Sequence, residues 1–262
     1  MNLELTGKTA LITGGSKGIG YAVAKGLAAE GVNLHLAARN ANQLTIAREQ
    51  LISEFAVSVD IHPCDLSQSN DTHELANKCA EIDILVNNAG AIPGGNLAEI
   101  SDDLWRTSWD LKVFGYINMT RSIYGHMKVR SGGVILNICG TAGNQTPSDY
   151  IAGITANGAL ITLTRALGGT SLNHGIRVLG INPGDMENER GEKFLRIQAT
   201  RDLGDAEKWR EMYANQPGGA VANSEDIANA VRFFVSPRAR FVSGTILTID
   251  GGMSASQAVV GS

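Results

Sequence analysis

The chain has 262 residues, 43% of them hydrophobic, enough to bury one sizeable core as a single α/β domain. A formal net charge of −4 offers no basic surface to nucleic acid or anionic lipid, and no apolar run reaches the roughly 18 residues of a membrane span. The opening stretch MNLELTGKTALITGG has no targeting pattern, and the three cysteines and five histidines show no paired or ligand-like spacing, so a cytoplasmic protein with no disulfide and no metal is expected.

In chain order, KTALI (8–12) reads as a strand, and TGGSKGIG (13–20) as a turn opening a helix over about 18–30. Strand NLHLAA (33–38) precedes a helix over about 41–54, VSVDI (57–61) one over 67–80, and DILV (83–86) a long one over 102–128. Strand GVILNI (133–138) precedes a helix over 149–173, and RVLGI (177–181) one over 224–236 signalled by Ser224; TILTI (245–249) is the last strand. Each gap between the seven strands is long enough for a crossover helix, which predicts a doubly wound parallel sheet with helices on both faces.

One segment, about 185–219, is helical with no strand and too long for a plain connection, so it reads as a substrate lid. Its Phe194, Leu195, Ile197, Trp209, Met212 and Tyr213 either close an apolar substrate pocket or pack the lid on the body.

A glycine-rich turn between a strand and a helix suits a phosphate, because small residues admit the ligand and helix N–H groups favour its charge. TGGSKGIG, together with NNAG (87–90), PG (183–184) and DGG (250–252) after the fourth, sixth and seventh strands, resembles the short-chain dehydrogenase/reductase family over nearly the whole chain. The resemblance implies a single NAD(P)-binding Rossmann domain over 1–262 and association through the helices at 102–128 and 149–173 as a tetramer or dimer. It further implies pyrophosphate contacts from Gly14, Ser16, Gly18, Ile19 and Gly20, adenine contacts from Asp65 and Leu66, and ribose contacts from Asn88, Ala89 and Gly90. Pro183, Gly184 and Met186 complete the expected cofactor set; Asp65 has the alternative role of capping the next helix. Where a carboxylate would hold the 2′-hydroxyl of NAD, this chain has Ala38, followed by Arg39; with Lys17 in the turn, NADP is the expected cofactor.

Members of the family reduce carbonyls with an Asn, a Ser and a Tyr-x-x-x-Lys pair. The pattern of GALITLTRALGG (158–169) sets the Tyr position at Gly153, the Lys position at Asn157 and, thirteen residues before Gly153, the Ser position at Gly140; Lys112 falls at the Asn position. Tyr150, three residues before Gly153 on one helical face, can fold into the space left by Gly140 and Gly153. A rebuilt site is therefore expected, with Tyr150 as proton donor, Lys112 as activator and Asn157 as cofactor anchor. The plainer readings are a solvated Lys112, a loop aromatic at Tyr150, and Gly153 serving close helix packing between subunits. Cys139 and Thr141 flank Gly140 and turn to the other face by strand alternation. The expected activity is an NADPH-dependent oxidoreductase on a small to medium carbonyl-, enone- or quinone-like molecule; the alternatives are an NADP-binding sensor or scaffold with little turnover and a non-redox dehydratase or isomerase.

Overall fold

The computed structural model describes residues 1–140, 148–187, 189–215 and 217–257. Its strands are β1 (Thr9–Thr13), β2 (Asn33–Ala38), β3 (Val59–Pro63), β4 (Ile84–Asn87), β5 (Gly133–Ile138), β6 (Ile176–Pro183), β7 (Met186–Glu187), β8 (Ala222–Asn223) and β9 (Ile246–Ile249). Its helices are α1 (Gly18–Ala29), α2 (Ala41–Glu54), α3 (Ser69–Lys78), α4 (Asp102–Trp109), α5 (Gly115–Arg130), α6 (Ile151–Ser171), α7 (Glu189–Leu203), α8 (Ser224–Val235) and α9 (Met253–Gln257).

Seven strands form one sheet in the order β3-β2-β1-β4-β5-β6-β9, with every neighbouring pair parallel. Alternation along each strand divides the core between two faces. Ala10 and Ile12 of β1 pack with Val23 and Leu27 of α1 and with Ile227 and Val231 of α8. Leu11, between them in sequence, packs on the other side with Leu75 of α3 and with Met119 and Ile123 of α5. Strands buried on both faces are near-continuous apolar runs, which made them visible in the sequence. The strand order reverses between β1 and β4, so the crevice of this doubly wound sheet opens at the carboxyl ends of those two strands.

Three local expectations change. The helix expected over 102–128 divides into α4 and α5 around a π-helical turn, Asp110–Phe114; a Cβ on Gly115 would lie 2.9 Å from the Leu66 carbonyl oxygen, so α5 can start that close to the chain after β3 only with glycine there. The lid region does contain a strand, since Met186 and Glu187 pair in parallel with Ala222 and Asn223 across its base; two-residue strands are too short to show a period. Asn223, not Ser224, caps α8, accepting hydrogen bonds from the Glu225 and Asp226 amides in a capping box.

Candidate active site

The chain leaves β1 at Thr13 and enters α1 at Gly18. Gly14 (φ +67) and Gly18 (φ +57) take left-handed backbone that side chains disfavour. A Cβ on Gly20 would lie 2.2 Å from the Gly14 carbonyl oxygen, so turn and helix close together only because residue 20 has no side chain. A Cβ on Gly18, by contrast, would meet nothing within 4 Å and would fill the open space over the turn. Lys17, the N-cap of α1, provides no side-chain cap, which leaves the first amides of the helix to face an anion. Ser16 is half-buried beside them, while Ile19 packs into the core.

Across the crevice, the Asn88 side-chain amide donates to the Thr13 and Gly14 carbonyls at 3.0 and 3.3 Å. Thr13 Oγ1 accepts from the backbone amides of Asn88 (2.9 Å) and Ala89 (3.0 Å). The side chain of Asn88 thus braces the glycine turn, and Thr13, which sequence reading passed over, joins the two strands that border the crevice. Asp65 Oδ1 accepts from the Ser67 amide and hydroxyl at 3.1 and 2.9 Å. That closes the turn before α3 but does not cap the helix, whose N-cap is Gln68. Leu66 (5% exposed) and Met186 (7%) point into the core, so contact with a cofactor is open to their main chains only. A Cβ on Gly184 would lie 2.6 Å from Asp250 Cβ, and Pro183 lies opposite Ile249; PG and DGG are two halves of one corner.

Thr13 is opposite Ala37 in the register, which sets the glycine turn beside Ala38 and Arg39. Arg39 and Lys17 are both exposed, and the side chain of neither makes a hydrogen bond or ion pair among the described residues.

At the end of β5 the structure brings two of the predicted catalytic residues together. Lys112, half-buried in the π-helical turn, runs its stem across Gly90, where a Cβ would lie 2.9 Å from Lys112 Cδ, and its ammonium donates to the Cys139 carbonyl at 2.9 Å. Asn157, 2% exposed, lies against Gly140 (φ +151), whose Cβ would come within 2.8 Å of Asn157 Nδ2. The Asn157 carbonyl oxygen is buried with no partner among the described residues. The third, Tyr150, is the N-cap of α6, and its ring lies over Gly153: a Cβ there would be 2.0 Å from Tyr150 Cζ. It packs against the cluster of Ile92, Val113 and Ala156. Lys112 is therefore not a solvated helix-face residue, and the space at Gly153 is filled by this chain's own phenol. Cys139 is buried with Tyr116, Leu160 and Ile161, and burial pushes its thiol up to about 12 against the opposing pull of Lys112, which keeps it a neutral core group. Thr141 lies outside the described residues.

Buried amides fix this corner. Asn87 donates to Asn137 (2.9 Å) and to Thr120 (3.0 Å), Asn137 donates to Thr164 (2.9 Å), and the Gly140 amide donates to Asn182 Oδ1 (3.3 Å). The sequence showed Asn87 only as part of NNAG and Asn137 only as a polar residue inside the apolar run GVILNI, and gave no sign that the amides connect. On the segment expected as a lid, Leu195, Ala199 and Trp209 form a small core of their own with Met212 and Tyr213, while Ile197 is 71% exposed and the side chain of Phe194 lies outside the described residues. The lid apolars thus pack on one another, an outcome neither expectation named. Histidines and a cysteine without ligand spacing along the chain meet in space, where donor atoms of His35, His62 and Cys79 lie within 4.8 Å of one another.

A parallel sheet whose order reverses beside a glycine turn with free helix amides defines a dinucleotide-binding oxidoreductase fold. The chain belongs to the short-chain dehydrogenase family, whose short chain dehydrogenase model matches residues 8–196. It is 30% identical over 257 residues to the 3-oxoacyl-(acyl-carrier-protein) reductase of Vibrio harveyi, covering 97% of this chain and 99% of that protein. It is 31% identical over 254 residues to the galactitol 2-dehydrogenase (L-tagatose-forming) of Cereibacter sphaeroides, covering 95% and 96%. The crystal structure of L-sorbose reductase from Gluconobacter frateurii complexed with NADPH and L-sorbose matches with a TM-score of 0.90 at 29% identity, over 97% of this chain and 99% of that one. No described helix is long and apolar enough to cross a membrane.

Proposed function

We propose that the chain is an NADPH-dependent oxidoreductase that reduces a small to medium carbonyl-, enone- or quinone-like substrate through a rebuilt site. On the motif spacing of GALITLTRALGG, Gly140, Gly153, Asn157 and Lys112 take the positions of the family's Ser, Tyr, Lys and Asn. The observation that carries the reading is the Tyr150 ring occupying the volume a side chain at 153 would take.

Bound NADPH supplies the hydride. The turn at Gly14, Ser16, Gly18 and Gly20 and the first amides of α1 hold the pyrophosphate, and Gly18 leaves room for it. Arg39 and Lys17, exposed and unpaired among the described residues, take the 2′-phosphate. The partnerless Asn157 carbonyl accepts a hydrogen bond from a ribose hydroxyl. Tyr150 donates the proton to the substrate oxygen, and the Lys112 ammonium, held at the end of β5 by the Cys139 carbonyl, supplies positive charge to the same end of the crevice. The helical excursion after β7 acts as the lid: Arg201 of α7 lies 4.0 Å from Asp149, the neighbour of Tyr150. Leu104 and Phe114, 43% and 49% exposed on the segment expected to associate, fit contact with a second copy.

A positioned acid contributes about 10²–10⁴-fold, roughly 3–5 kcal/mol, whereas holding donor against acceptor contributes about 7–11 kcal/mol. Ketones, which need the proton, should therefore suffer most from Tyr150→Phe, with kcat falling about 10²–10⁴-fold and NADPH affinity unchanged. Quinones and enones should lose less, and Lys112→Met should cost at least about tenfold on ketones. Binding followed by NADPH fluorescence and turnover followed by its oxidation check both. Ketone turnover that survives Tyr150→Phe removes the acid assigned here, and tight NADPH binding without turnover on any of the three substrate classes favours the sensor reading.

A further inference from the structure

His35 on β2, His62 on β3 and Cys79 at the end of α3 meet at the edge of the sheet. The parallel register sets His35 opposite Asp60 and Ala37 opposite His62, so both imidazoles stand on the face that packs beneath α3. His35 Nδ1 is 2.9 Å from His62 Nε2, and Cys79 Sγ is 4.0 Å from that same nitrogen. Asp60 Oδ2 lies 3.9 Å from His35 Nδ1 on a side chain that is 69% exposed and free to swing.

We propose that His35, His62 and Cys79 form a binding site for a borderline divalent transition-metal ion, zinc foremost, with Asp60 as the fourth ligand. Two imidazoles and a sulfur are donors that zinc takes and that magnesium and calcium, which require oxygen, do not. A tetrahedral zinc with Zn–N of about 2.0–2.1 Å and Zn–S of about 2.3 Å holds neighbouring donors roughly 3.3–3.6 Å apart. The 2.9 and 4.0 Å separations bracket that range, so shifts of about 0.5–1 Å in three side chains convert the cluster into a coordination shell. A thiol and a carboxylate stand within 4.0 Å of the same two nitrogens that the imidazoles turn toward each other. Access is provided by a cavity of about 220 Å³ lined by His62, Cys64, Asp71, Glu74 and Lys78, whose two carboxylates attract a cation. On binding, the Cys79 S–H bond gives way to a metal–sulfur bond and the proton leaves to solvent, with no change of oxidation state. The ion ties β2, β3 and α3 together three residues before Asp65, the segment assigned to the adenine.

The test uses the full chain purified without a histidine tag and stripped by chelator, titrated with Co²⁺ and then competed with Zn²⁺. One equivalent of Co²⁺ should develop a thiolate charge-transfer band that Zn²⁺ abolishes, and Zn²⁺ should raise the unfolding temperature. Cys79→Ser should remove the band and Cys64→Ser should leave it. Because Cys79 is buried, half-buried His62→Gln serves as the second variant: metal-free unfolding close to wild type and Zn²⁺ affinity at least tenfold lower. A wild-type chain without the band, a band that vanishes in Cys64→Ser in place of Cys79→Ser, or undiminished affinity in His62→Gln overturns the site.

Discussion

Glycines border both ends of the crevice, and they are there for opposite reasons. After β1 the backbone itself requires them: Gly14 and Gly18 have positive φ, and Gly20 faces the Gly14 carbonyl across a gap that admits no side chain. At Gly153, by contrast, the space is filled by a neighbour, the ring of Tyr150; Gly140 shares both reasons, with φ +151 and the amide of Asn157 beside it. The first set builds a cradle from main chain; the second makes room for other side chains. Residue identity alone does not separate the cases, whereas the atom nearest to an imagined Cβ does.

The sharpest way to break this contrast is Gly20→Val. Its side chain would collide with backbone, which cannot swing aside, so NADPH binding should be lost together with about 1–3 kcal/mol of stability, read by fluorescence titration and denaturant unfolding. Retained affinity would mean that the cradle is as adaptable as the other end. Gly153→Ala meets only the far end of a tyrosine, which can rotate away at a cost of about 0.5–1.5 kcal/mol. Ketone turnover should nonetheless fall toward the Tyr150→Phe level, at least tenfold, while NADPH affinity holds; equal turnover with and without the methyl group would detach the ring from the chemistry.

Arg39→Asp tests the cradle's outer rim. Loss of one charge-assisted contact, about 1.5–3 kcal/mol, should weaken NADPH roughly 10–100-fold and turn the preference toward NADH, as two parallel titrations would reveal. The smallest effect concerns Cys139. With its thiol held up at about 12, the thiolate fraction at pH 7 is about 10⁻⁵ and grows about tenfold per pH unit, so iodoacetamide should label this residue of the native chain negligibly at pH 7, and freely only once it unfolds. Rapid labelling at neutral pH would show that the end of β5 opens to solvent.

What the sequence disclosed was whatever depends on one segment at a time. Apolar runs such as GVILNI announced strands buried on both faces, and the glycines of TGGSKGIG announced their turn. Features assembled from several segments stayed hidden. The widened turn holding Lys112 depends on Gly115 meeting the chain after β3, and β7 exists only through its pairing with β8. The same applies to the asparagines of β4, β5 and β6, whose amides link β4 and β5 to α5 and α6 and hold Gly140, and to His35, His62 and Cys79, donated by three elements. Tyr150 lay between these extremes: helical spacing placed it near Gly153, but only coordinates showed the ring across it.

The cluster of Leu195, Ala199 and Trp209 has a consequence for how this molecule yields to damage. Because these residues pack on one another, α7 and the turns that follow it form a cassette with its own interior. A hole opened among them should loosen that unit before it reaches the packing of the seven-stranded sheet, whose buried residues belong to separate clusters.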